Sequence, residues 1–128
     1  MPLTSWIRFA ALLAGFSALP LMADATGRWS NGGTEVFVLR QVGDAVTGEI
    51  QGRPGEPTYK IVDGQVHGNR IFFIVLHDDA NDPEVKANGS LPFHNTAEGT
   101  ITEDEITVSG SRENTKIREY RLVLKRLK

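Results

Sequence analysis

Apolar and polar positions alternate along most of this chain with the two-residue period of a β-strand. From Gly27 onward no apolar stretch sustains the 3.6-residue period of a helix. The longest apolar run in that part is Ile71-Phe72-Phe73-Ile74-Val75-Leu76, between Arg70 and His77. It is rich in the β-branched and aromatic residues that strands prefer. Alternation sends Ile71, Phe73 and Val75 to one face and Phe72, Ile74 and Leu76 to the other. A small barrel keeps only its inner face dry. A cover for Phe72, Ile74 and Leu76 is therefore expected: a loop, the N-terminal segment, a second copy of the chain or a protein partner.

Shorter strands are predicted on either side of this run. Residues 26–31 form a first strand around Trp29, stopped by Gly32-Gly33, and residues 35–42 form a second. Gly43-Asp44 is a two-residue hairpin turn into residues 46–52, where Val46, Gly48, Ile50 and Gly52 share one face. A loop at 53–57 leads to a strand at 58–67, and Gly68-Asn69 turns the chain into the apolar strand. Beyond a polar loop at 78–83, a weaker strand is expected at 85–91, followed by strands at 95–101 and 106–111. A turn at Glu113-Asn114 opens the last strand at 117–127. The hairpins are spaced too irregularly for a solenoid or propeller. The pattern predicts an all-β fold, an antiparallel up-and-down barrel of about eight strands.

Four glycines, Gly48, Gly52, Gly99 and Gly110, fall on the apolar faces of their strands. Glycine there either relieves crowding where strands coil at barrel corners or leaves interior space open.

With 128 residues the chain has room for one domain. Its first residues read as a signal peptide: Arg8, then an apolar segment of about 14 residues, then the small-x-small pattern Ala23-Asp24-Ala25. Cleavage is expected after Ala25, or alternatively after Ala23, giving a signal peptide at 1–25 and a barrel domain at 26–128. The apolar segment falls short of the roughly 20 residues that span a bilayer, so no membrane span is expected after cleavage. The mature chain is expected to be secreted or periplasmic. Absence of cysteine excludes disulfides, thiolate metal sites and a lipid-modified cysteine. A net charge of −2 argues against nucleic acid as a partner.

Candidate chemistry is sparse. His77 stands near Asp78, Asp79 and Asp82, yet their spacing shows no convergence of ligands, and neither metal nor other cofactor is expected. No Gly-x-Ser-x-Gly occurs, and no catalytic residue is identified. The last strand is basic, with Arg121, Lys125 and Arg126; its alternation puts Tyr120, Leu122 and Leu124 on one face.

Gly27-Arg28-Trp29 at the start of the first strand, with Arg121, Lys125 and Arg126 on the last, resembles the Gly-x-Trp and closing basic residue of the calycin group, which includes lipocalins and avidins. That resemblance implies a tryptophan at the barrel base under a basic side chain, in a cation–π contact. The stretch from Gly27 to Thr34 is similar to the avidin opening, and implies ligand-holding roles for Asn31 and Thr34. No tryptophan follows Trp29, where avidins wall their ligand with several, so biotin is not expected. The chain also resembles small exported single-domain bacterial proteins with repeated hairpins, a likeness that bears on fold rather than activity.

The expected role is non-enzymatic binding of a small apolar ligand inside the barrel, by Trp29, Asn31, Phe37, Ile50, Phe73 and Tyr120. The alternative is a protein-binding module, such as an inhibitor or accessory factor of an exported enzyme, or a homo-oligomer, acting through Phe72, Ile74 and Leu76. A cyclase-like barrel that shapes a reactive substrate is a third reading, since it needs no motif.

Overall fold

A computed structural model describes residues 23–112 and 119–128. The expected signal peptide, apart from Ala23 to Ala25, and the expected turn at Glu113-Asn114 lie outside the described residues. Eight strands run in chain order: β1 (Gly27–Ser30), β2 (Val36–Val42), β3 (Ala45–Gln51), β4 (Tyr59–His67), β5 (Arg70–His77), β6 (Phe93–Ile101), β7 (Glu105–Arg112) and β8 (Glu119–Arg126). A short helix, α1 (Pro83–Ala87), lies in the connection between β5 and β6. Every strand pairs antiparallel with its neighbour in sequence, and β8 returns to β1, so the sheet closes into the barrel that the alternation predicts. Closure leaves no strand edge unpaired.

The odd-numbered residues of β5 show how alternation builds the core. Ile71, Phe73, Val75 and His77 are buried, whereas Phe72, Ile74 and Leu76 are only partly exposed. On the outer surface Ile74 sits in register between Val62 and Thr96, and Leu76 between Lys60 and His94. Neighbouring strands thus shelter part of that face. In β4 the alternation slips by one residue: Ile61 and Val66 are both buried although five positions apart. A bulge between Val62 and Gln65 makes the correction, with Asp63 in the left-handed region at φ 54°.

The inward glycines are sites of close backbone approach. A Cβ at Gly99 would lie 1.9 Å from the Thr107 carbonyl oxygen, at Gly48 2.1 Å from that of Val38, and at Gly110 1.6 Å from that of Thr96. The crowding explanation therefore holds for these three, which permit the coiling that a small closed sheet requires. Gly52 lies beyond the end of β3, where the Glu56 side chain occupies the space a Cβ would need.

Residues 85–91 do not form a strand. Asp82-Pro83-Glu84 writes a helix start instead: the Asp82 carboxylate accepts the Glu84 backbone N–H at 2.9 Å, Pro83 takes the first turn without needing its missing donor, and Glu84 puts negative charge there. At five residues α1 is too short to register as a 3.6-residue pattern.

The barrel has unlike ends. At one end the connections are short, two residues at 43–44 and two at 68–69, with glycine at positive φ leading each (Gly43 61°, Gly68 60°). Trp29, fully buried, closes this end, and the Arg126 guanidinium lies 4.2 Å from its ring centroid. Arg126 also donates to three carbonyl oxygens, of Thr26 at 2.8 Å, Asp24 at 2.7 Å and Glu103 at 2.6 Å. The Trp29 indole N–H donates to the Ala25 carbonyl at 2.9 Å, and the Ala25 N–H donates to the Gln41 side chain at 2.9 Å. A strap of residues 24–26 is thereby fastened across the floor. The longer connections, including the one that carries α1, lie at the other end.

Candidate functional site

The longer loops surround a cavity of about 360 Å³ in that half of the barrel. Its wall is apolar, from Phe37 and Ile50 on adjacent strands, Phe73 and Val75 on β5, and Leu122 on β8. Its polar groups gather near the mouth: Glu35, Tyr59, His77, Glu84, Asn95, Arg112 and Tyr120.

A hydrogen-bonded group buried at this end links α1 to the barrel wall. His77 is the last residue of β5, 4% exposed, and its ring stacks on Phe93 with centroids 4.5 Å apart and planes 7° from parallel. The Tyr59 ring lies on another side, at 4.4 Å. His77 Nδ1 meets Asp82 Oδ2 at 3.1 Å, and Nε2 meets Asn95 Nδ2 at 3.1 Å. The other Asp82 oxygen accepts the Glu84 N–H at 2.9 Å and the Tyr59 hydroxyl at 3.3 Å. Asp82 is wholly buried, and its carboxylate meets a donor on every side.

These partners fix the protonation pattern. A carboxylate only accepts, so Nδ1 carries the proton of a neutral His77, and Nε2 accepts from the Asn95 amide. The Nε2 lone pair is thus already engaged, so His77 acts here to orient Asn95 rather than as a free base toward the cavity. Burial, with the Asp82 and Glu84 charges, pushes the Tyr59 hydroxyl far up and keeps it a donor.

Charge at the mouth is mixed. Arg112 and Glu84 are paired at 2.7 Å. Glu35, half-buried beside them, has its carboxyl raised above the usual range, first by burial and then by the neighbouring Glu84 and Glu56 charges. The Tyr120 hydroxyl donates to the Thr96 carbonyl at 2.6 Å across the bare backbone of Gly110, and burial pushes it up to about 12.

Of the residues expected to bind ligand, Phe37, Ile50, Phe73 and Tyr120 are brought together on the cavity. Trp29 belongs to the floor under Arg126. Asn31 lies in an outer groove with Thr34 and Glu56, and its side-chain oxygen closes its own turn by accepting the Gly33 N–H at 2.9 Å. Sequence reasoning passed over Tyr59, Asp82, Glu84 and Asn95. Two signals for them exist in the sequence: Asn95 shares the inward parity of Ala97 and Ile101, and Asp82 precedes a proline and a glutamate.

His77, Asp82 and Glu84 present atoms within 4.8 Å of one another, a closer convergence than the spacing of Asp78 and Asp79 suggests. Asp82 is held by three donors and Glu84 by Arg112, and the set behaves as a hydrogen-bond network in this arrangement. Among the described residues no helix is long and apolar enough to cross a membrane.

The class that fold and site define is a closed eight-stranded antiparallel barrel with an internal cavity at one end. No family model, curated protein or solved structure matches the chain.

Proposed function

We propose that this chain is an exported, non-enzymatic barrel that holds a small, mostly apolar ligand in the cavity under α1. The observation that carries the reading is the cavity itself: about 360 Å³, with an apolar wall and a few polar groups at one end. Small-molecule sites commonly run from about 300 to 1,000 Å³ with that distribution of polarity. The calycin resemblance lends support, since Arg126 lies over Trp29 as the closing basic residue of that group does. Export rests on the leader-like N-terminus alone.

Native mass spectrometry of the chain purified from the exported fraction of its own host tests this directly. The expected result is a small-molecule mass that is released on collisional activation and is absent from an Ile50→Trp variant, whose added ring fills the cavity. A bare chain from the host, together with no uptake of apolar probes by the purified protein, overturns the reading.

A further inference from the structure

The hydrogen-bond order around His77 has a consequence for the cavity. Asn95 is 7% exposed and lines the cavity, and its amide nitrogen is committed to His77 Nε2 at 3.1 Å. Its other branch, Oδ1, is fully buried and meets no donor among the described residues. Buried polar atoms rarely go without a partner, because the lost hydration is not replaced.

Turning the amide over would not cure this. It would set Oδ1 against the Nε2 lone pair, two acceptors face to face, because Asp82 holds the proton on Nδ1. Asp82 cannot turn its own requirement round either, since the Glu84 backbone N–H can only donate to it. A backbone N–H at the start of α1 thus dictates, through Asp82, His77 and Asn95, that an acceptor is offered to the cavity.

We infer that Asn95 Oδ1 is the polar anchor of the ligand site, and that the ligand is an apolar molecule bearing a hydrogen-bond donor, a hydroxyl or an amide N–H. This deepens the cavity reading and rests on it. An anionic headgroup does not fit the anchor, because a carboxylate would bring a third acceptor to it.

The test uses two probes with one apolar body, 2-naphthol and 2-methoxynaphthalene, titrated calorimetrically into the folded chain. The expected result is about tenfold tighter binding of 2-naphthol, the worth of one neutral hydrogen bond to an otherwise unpaired buried acceptor. Asp82→Asn isolates the relay. Its side-chain oxygen must stay on the Glu84 N–H, so its amide nitrogen faces His77 Nδ1 and drives the proton to Nε2, which turns Asn95 over. The preference for 2-naphthol is expected to fall toward parity while affinity for the ether is kept, and the ring-nitrogen NMR shifts of His77 are expected to exchange. Asn95→Leu, which leaves the α1 cap intact, should also abolish the preference, so the inference remains testable if Asp82→Asn folds poorly. Equal binding of the two probes by the unaltered chain overturns the anchor and leaves the cavity reading standing. Binding of neither overturns both, and a preference that survives in the folded variants shows that Asn95 is not its source.

Discussion

Glu35 shows how a single carboxyl at the mouth carries a pH signature. Burial raises it in the folded state, so folding favours its protonated form. The stability that follows is full below the carboxyl's unfolded value and is lost as pH rises through the folded one. Glu35→Gln keeps the shape and removes the charge. The variant is expected to melt above the parent at about pH 7, with the difference closing toward about pH 4, where the parent carboxyl is largely protonated; calorimetric melts at the two pH values measure it. Individual cavity residues differ in how far the sequence announces them. Phe37, Ile50 and Phe73 are apolar residues of inward parity, and parity suffices to place them. His77 has the same parity, but its meaning comes from Asp82, on the far side of a turn, and from Asn95, on the next strand. Nothing in a linear pattern says that a loop aspartate will fold back onto a strand end.

Strands and turns follow closely from the sequence because their determinants are local. Glycine at positive φ leads both two-residue hairpins, and alternation names the inner face of most strands. The exceptions have physical reasons. The bulge at Asp63 in β4 inserts a residue that a period-two reading counts as an ordinary position. The helix at residues 83–87 is announced by its cap rather than by periodicity. At this scale the inward glycines give the sharpest prediction. Gly99→Ala would drive a methyl group to 1.9 Å from the Thr107 carbonyl oxygen. The β6–β7 pair must spread to admit it, at an expected cost of roughly 3 kcal/mol. Equilibrium urea unfolding measures the loss, and Gly33→Ala, in an exposed turn outside the strands, serves as the comparison.

The closed barrel distributes its strength unevenly. β5 and β6 are in register over eight residue pairs, whereas the β1–β8 seam has two, Trp29 with Arg126 and Ser30 with Lys125. Hydrogen exchange is expected to find amides of β5 and β6 among the last to exchange and those of the seam among the first, because the seam can open without dismantling the rest. Uniform protection around the barrel would show instead that closure and core form one cooperative unit. The small contacts at the floor offset part of this weakness, since Arg126 ties β8 to the strap at Asp24 and Thr26. The strap overlaps the expected cleavage pattern Ala23-Asp24-Ala25. A cut after Ala23 leaves the carbonyls that Arg126 and Trp29 hold, and a cut after Ala25 removes both Asp24 and Ala25. Processing and folding therefore compete for the same three residues. A chain trimmed too far would begin its exported life unable to lock its last strand, which makes the accuracy of one peptidase cut a checkpoint on how long the protein survives among proteases.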